Sequence, residues 1–390
     1  MAKKNKAILI GVVGLAIAIA IGFMVLIFAD LGSSGSNESG APAFEGLKFK
    51  EKVKLKYANQ FSIYKYEGGY AYLEIVDGDK LLVVPKGKEA PKNLDKDIIV
   101  VKQPLKNIYL VSTAVMALFD SLDSLDNIKF VGTDHWYIEN ARKAIEEKKW
   151  INAGKYNAPD YETLINGKCE LAIQNTMILH NPEVKEKLIE LGIKTMIEKS
   201  SYESHPLGRT EWIKFFGVLL DKEELANKIF DEQAKKIEKL KDTKSTGKKV
   251  IFFYVNTRGN VVTYKSNGYV PEMIKIAGGE YAFSDLGTGE DSKLSTINMS
   301  MEEFYNTAKD ADILIYNCSI VEQIYTLDEL LDKSPVLKDF KAVKEGNAWC
   351  TSRSMFQQTN KMGSIIQEMN AIFSGDKEAQ KKMEYLFKLK

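Results

Sequence analysis

Three short stretches of the sequence concentrate side chains able to hold a small ligand. Asp134-His135-Trp136-Tyr137 sets an imidazole beside two large rings. The rings of Trp136 and Tyr137 offer flat faces to a planar or apolar group, and His135 offers a nitrogen to a metal. Ser200-Ser201-Tyr202-Glu203-Ser204-His205-Pro206-Leu207-Gly208-Arg209 is crowded with polar groups, among which Tyr202 and Arg209 are candidates for contact. Thr351-Ser352-Arg353-Ser354-Met355-Phe356 carries Arg353, whose planar guanidinium fork suits a ligand carboxylate. Arg258 and Tyr264 are further candidates near the first turn of the second half. Structural roles compete with these readings. Glu203 and Arg209 can pair with one another or cap a helix, a lone histidine has other uses than binding metal, and His180, beside Asn181-Pro182, reads as a helix-entry residue.

This chemistry is binding rather than bond-making. The chain has no GxSxG nucleophile turn, no P-loop lysine motif and no HExxH helix, so nothing points to an enzyme. Cys169, Cys318 and Cys350 include no CxxC pair, which argues against structural zinc and against a disulfide framework; each sits in or beside an apolar segment and reads as a buried thiol. No resident cofactor or metal is expected. The net charge of +1 argues against a nucleic-acid partner, because such proteins carry a basic face.

All three stretches follow short apolar runs and precede helical patterns, so the elements that must position them are strands. From residue 98 onward, short strands such as 108–111, 130–132, 171–173 and 195–197 alternate with helices, the pattern of an α/β layer with a mostly parallel sheet. Leu225, Ile229, Ile237 and Leu240 then recur at helical spacing, and the strand–helix pattern restarts at Val250. The expected architecture is two α/β lobes with mostly parallel sheets joined by a single long helix, with ligand in the cleft at the carboxyl ends of both sets of strands. With 45% hydrophobic residues, 390 residues suffice for two such cores and an accessory piece. The expected divisions are an N-terminal membrane anchor (1–30), a Gly/Ser-rich tether (31–46), a small antiparallel β meander (47–104), a first lobe (105–220), the linking helix (221–243), a second lobe (248–353) and two C-terminal helices (354–390).

The anchor rests on charge and length. Lys3, Lys4 and Lys6 precede an uncharged apolar run from Ala7 to Ala29. At ~1.5 Å per residue the run spans a hydrocarbon core of ~30 Å, and the basic flank keeps the rest of the chain outside the cell. A lipoprotein signal would place a cysteine after Ile27-Phe28-Ala29, but Asp30 stands there, so an uncleaved helical anchor is expected.

In its order of pieces the sequence resembles the class III substrate-binding proteins of ABC importers for ferric siderophores, haem and cobalamin. Ile108 to Thr113 followed by Ala114 to Leu118 is similar to the family's first strand–loop–helix, and Val131-Gly132-Thr133 follows in register. Gly154 to Leu164 with Glu170-Leu171-Ala172-Ile173, Ile276-Ala277-Gly278-Gly279-Glu280, and Met299 to Glu303 with Ala311 to Ile315 extend the match over roughly residues 98–373. The resemblance implies a monomeric capture subunit that binds a small metal chelate outside the cell and delivers it to an ABC permease. It further implies that one surface glutamate per lobe, Glu162 and Glu302, docks basic residues of the permease. Two other readings stay open: a membrane-tethered sensor of the same fold, and a protein binding a bare transition-metal ion, for which the three histidines lie in separate loops.

Overall fold

The computed structural model describes residues 40–242, 244–288 and 295–390. The apolar run at 7–29 and the tether up to residue 39 lie outside them, and among the described residues no helix is long and apolar enough to cross a membrane.

The first sheet holds β1 (Phe49–Lys52), β2 (Phe61–Tyr66), β3 (Ala71–Ile75), β4 (Lys80–Val84) and β5 (Ile98–Lys102) in that order. The first four run antiparallel. The fifth returns parallel to β4, so the expected simple meander is instead a mixed sheet. Alternation along the strands sends Tyr64, Tyr66, Tyr72, Leu82 and Val84 to one face and Ile63, Leu73, Leu81 and Val83 to the other. Both faces are covered, which is why the strands read as continuous apolar runs. Residues 41–46, expected as the end of a free coil, cover the outer face: Ala41 is fully buried, and the Tyr66 hydroxyl donates to the Pro42 carbonyl at 2.6 Å.

The second sheet is wholly parallel. Its strands are β6 (Ile108–Leu110), β7 (Ile128–Val131) and β8 (Ile151–Asn152), then, after a ribbon of β9 (Gly154–Lys155) and β10 (Ala158–Pro159), β11 (Leu171–Gln174) and β12 (Lys194–Ile197). Their order is β12-β11-β6-β7-β8. Crossovers run through α1 (Thr113–Ser121), α2 (Glu139–Glu146), α3 (Tyr161–Asn166) and α4 (Pro182–Glu190). A helical pair follows, α5 (Pro206–Leu219) and α6 (Glu223–Glu238). Every residue of α5 is buried, because the first sheet, α1 and the second lobe enclose it. The two helices pack tightly at Gly217, where a Cβ would lie 2.5 Å from that of Ala226. The helix expected over 221–243 is α6, which ends at Glu238.

The second lobe contains β13 (Lys249–Val255), β14 (Val261–Tyr264), α7 (Tyr269–Ile276), β15 (Glu280–Tyr281), β16 (Thr296–Met299), α8 (Met301–Ala308), β17 (Ile313–Tyr316), α9 (Leu327–Lys333), β18 (Ala348–Thr351), α10 (Met362–Ser374) and β19 (Leu386–Lys388). The sheet order is β16-β14-β13-β17-β18-β19, with β15 alongside β13. The central β13, β17 and β18 are parallel to one another, whereas β14 is antiparallel to β13, β16 to β14 and β19 to β18. This sheet is therefore mixed rather than mostly parallel. The two C-terminal helices expected over 354–390 are also corrected: after α10 only Lys377–Gln380 is helical, and the chain ends in β19 on the sheet edge. The Glu368 carboxylate turns the chain there by accepting the amides of Glu384, Tyr385 and Leu386 at 2.8–3.0 Å.

Carboxylates also fasten the first sheet to the first lobe. Glu211 on α5 accepts the amides of Lys56, Tyr57 and Ala58 at 2.7–3.0 Å, and Glu203 accepts those of Asn59 and Gln60. The β3–β4 turn is held from the other side, where Asp79 accepts from Lys185 and from the Ile197 amide. Phe61 packs on Trp212 and Phe215 at the same junction. One apolar core runs through the first sheet, the helical pair and parts of both lobes, so the added sheet is integral to the body.

Candidate functional site

A cleft of about 540 Å³ opens at the carboxyl ends of the parallel strands of both lobes. Val111 and Thr113 follow β6, Gly132 and Thr133 follow β7, Asn175 follows β11, and Lys155 and Tyr156 come from the β9–β10 ribbon. The facing wall is Ser319 and Ile320 after β17, and Arg353, Phe356 and Gln357 after β18. Parallel strands all end on one edge, and the loops leaving that edge diverge to make a crevice. At Gly132 a Cβ would lie 3.2 Å from Val111 Cγ1 and 3.4 Å from the Gly154 carbonyl, so glycine lets these loops approach closely.

The run after β7 divides by strand-like alternation. His135 and Tyr137 are exposed and line the cleft, whereas Trp136 and Ile138 turn into the core. Trp136 lies edge-on to Trp150 with ring centroids 6.4 Å apart. Arg353 reaches across from the second lobe, its guanidinium carbon 5.3 Å from the Tyr137 ring centre, and Phe356 lies edge-on to the same ring. Lys155 and Arg353 place two cations in the lining, and among the described residues no aspartate or glutamate lines it. Three rings from Tyr137, Tyr156 and Phe356 complete the surface. Such a cleft favours a ligand with negative charge and flat or apolar faces. Among the described residues no group of three or more His, Cys, Asp or Glu is arranged to hold a metal ion.

The other candidates stand elsewhere. Tyr202 lies in the single turn Ser200–Tyr202 and Arg258 in the turn after β13, where its amide donates to Asn256 Oδ1. Arg209 and Tyr264 are buried where α5 meets the second lobe. The guanidinium stacks 4.2 Å above the Tyr269 ring, which is edge-on to Tyr264, and burial raises the Tyr264 hydroxyl pKa. None of these four lines the cleft. Glu203 is committed to backbone amides and to Trp212 Nε1, and burial holds its carboxyl above the ordinary range. His205 caps α5, accepting the Leu207 amide at Nδ1, and burial lowers its pKa.

Glu162 and Glu302 occupy matching places. Each is exposed at the second position of a helix, α3 behind the Asp160 cap and α8 behind the Ser300 cap. Neither forms an ion pair among the described residues, and each precedes a parallel strand of its own lobe, β11 or β17.

Sequence reading missed Lys155, Tyr156, Asn175, Ser319 and Gln357. Asn175 directly follows a strand end and Ser319 lies three residues after one, a positional signal that was available. Lys155 and Tyr156 lie in a ribbon too short to show periodicity.

Residues 109–349 match the family model described as periplasmic binding protein. A protein of Methanocaldococcus jannaschii named as an uncharacterized lipoprotein is 26% identical over 335 residues, 80% of this chain and 77% of that one. A second lipoprotein of that organism is also 26% identical, over 75% of each chain. Among solved structures, the periplasmic heme-binding protein of Vibrio cholerae superposes with a TM-score of 0.54 at 17% identity, over 68% of this chain and 98% of that one. The petrobactin-binding protein of Bacillus subtilis gives 0.55 at 13% identity, over 70% and 93%. At such identities these structures establish the fold.

Proposed function

The chain belongs to the periplasmic binding protein family, in its class III form, and on that premise we propose that it captures a metal chelate outside the cell and hands it to an ABC permease. It is a binding protein, not an enzyme. The observation that carries the proposal is the cleft itself: rings from both lobes, Lys155 and Arg353 as cations, and no carboxylate in the lining among the described residues. Ferric siderophores, haem and cobalamin supply the flat or apolar faces, and the first two also supply anionic groups. The neighbours named for heme and petrobactin binding support this class of ligand. His135 stands in the lining as a candidate axial nitrogen for an iron or cobalt centre.

In this reading Glu162 and Glu302 dock the permease. Both carboxylates are exposed and unpaired among the described residues, and two charges spaced across a bilobal body fix orientation by charge-assisted pairing. The apolar run at 7–29 tethers the body to the outer side of the membrane, in keeping with relatives named as lipoproteins, although Asp30 replaces the lipid-bearing cysteine.

The test is an absorbance titration of the full chain in detergent with haemin, cobalamin and a panel of ferric siderophores, with tryptophan quenching followed in parallel. Saturable binding at micromolar or lower concentration to one of them is expected. No binding to any removes the proposed ligand class.

A further inference from the structure

Residues 352–361 form a strap between the two lobes. At its start it belongs to the second lobe: Ser352 donates its amide to the Tyr385 carbonyl, and the Arg353 amide donates to Gln323 Oε1 at 3.0 Å. At its end it belongs to the first lobe. Thr210 on α5 donates its hydroxyl to the Thr359 carbonyl at 2.8 Å, and Asn360 Nδ2 donates to Ser121 Oγ on α1 at 2.7 Å. Between these anchors the strap carries Arg353 and Phe356 into the cleft.

Gln357 sits inside this strap with no solvent exposure, and its whole side-chain amide is spent on one partner segment. Its Oε1 accepts the Tyr137 amide at 2.8 Å, and its Nε2 donates to the His135 carbonyl at 3.2 Å. Those backbone groups lie two residues apart on an extended segment, where an amide and a carbonyl face the same way. A primary amide matches that pair in one orientation only, since a flip sets N–H against N–H and oxygen against oxygen. The side chain thus acts as a one-residue strand added to the edge of residues 135–137.

We propose that Gln357 is the positioning residue of the cleft, a latch that holds His135 and Tyr137 of the first lobe in register with Arg353 and Phe356 of the second. Among the described residues the segment it grips has no other sheet partner, and its one further bond is from the His135 amide to Thr133 Oγ1 within the same loop. Trp136 and Ile138 anchor that segment in the core on one side, and Gln357 fixes its backbone on the other. Because the same strap presents Arg353, one side chain sets the spacing between the walls. The consequence is a pre-organised cleft: ligand enters a fixed pair of walls and does not have to order the 135–137 loop as it binds.

The inference rests on the proposed capture role for its effect on affinity, but its structural half is independent of any ligand. The first measurement is amide hydrogen exchange of the full chain in detergent. The Tyr137 amide is expected to be protected in the native protein and to exchange at least ~10-fold faster in Gln357→Ala, with the thermal midpoint little changed because the apolar core is untouched. Gln357→Glu is the isosteric companion. It keeps an acceptor for Tyr137 but opposes the His135 carbonyl with a second oxygen, so protection of Tyr137 survives better than in the alanine variant. The second measurement is affinity for whichever of haemin, cobalamin or the ferric siderophores the native chain binds, expected to fall about tenfold in Gln357→Ala, the size of having to order about one loop residue on binding. Unchanged Tyr137 exchange in Gln357→Ala overturns the latch. Faster exchange with unchanged affinity overturns its positioning role. Failure of the native chain to bind any probe counts against the capture role, while the exchange result still decides the latch.

Discussion

The clearest energetic test lies where Glu211 fastens the first sheet to α5. Its side chain is fully buried and receives four donors: the amides of Lys56, Tyr57 and Ala58, and Lys214 Nζ at 2.7 Å. Lys214 is itself nearly buried, with its ammonium 4.1 Å from the Phe230 ring centre. In Glu211→Gln the new carbonyl can keep the three backbone amides, but the new NH2 group then faces the ammonium, leaving a buried cation without its counter-ion. Breaking a buried pair on one side costs ~3–5 kcal/mol, and the slight exposure of Lys214 places this case near ~3 kcal/mol. Lys214→Met leaves the carboxylate with its three amide donors and costs about 1–2 kcal/mol. The double variant removes the stranded cation, so it is expected to be more stable than Glu211→Gln alone, which requires a coupling larger than the cost of Lys214→Met, about 2–3 kcal/mol. The assay is urea unfolding of residues 40–390, followed by tryptophan fluorescence, since Trp212 packs on Phe61 at the same junction. A loss below ~1 kcal/mol in Glu211→Gln, or strictly additive effects, would refute the reasoning.

Other outcomes are open to measurement. Burial raises the Glu203 carboxyl above its unperturbed value of about 4.3, so the native state holds this proton more tightly than the unfolded chain. Its contribution to stability is full below that pH and is lost as pH rises through the raised value; the native protein's advantage over Glu203→Gln should therefore be larger at pH 4 than at pH 7 in urea unfolding. Arg353→Ala removes a cation from the cleft wall and its stack on Tyr137, and should weaken an anionic chelate by roughly 10- to 150-fold in the absorbance titration, the size of one charge-assisted bond. Glu162→Ala with Glu302→Ala should abolish uptake by cells while leaving ligand affinity within about twofold, because neither residue lines the cleft; unimpaired uptake would leave these carboxylates as ordinary helix-terminal residues.

Much of the fold was legible because it is local. The second-lobe pieces Met301–Ala308 and Ile313–Tyr316 overlap the resembling stretches at 299–303 and 311–315, and alternation of short strands with helices implied parallel sheets. The errors share one cause. The second C-terminal helix expected within 354–390 stops at Gln380 because Glu368, on the preceding helix, captures the amides of residues 384–386, and β18 offers Leu386–Lys388 an edge. The fifth strand of the first sheet reads like any apolar strand, and only its partner β4 makes it parallel. Residues 41–46 look like tether because they continue the Gly/Ser-rich run with no periodicity of their own, yet the Tyr66–Tyr72 face gives Ala41 and Phe44 a surface to cover.

The candidate site divides in the same way. By itself the sequence determined that ligand-binding side chains follow strand ends, that the chain carries no motif for catalysis, and that His135, Tyr137 and Arg353 have the right chemistry, because residue type and position after a strand are local properties. Only the tertiary structure decided which of them meet. It sent Trp136 inward beside two neighbours that face the cleft, placed Arg209 and Tyr264 against α7, and brought Gln357 more than two hundred residues along the chain to the backbone of His135 and Tyr137. Contacts between lobes are set by how two sheets and a helical pair pack, and packing depends on pairs of residues whose separation leaves no periodic trace in the sequence.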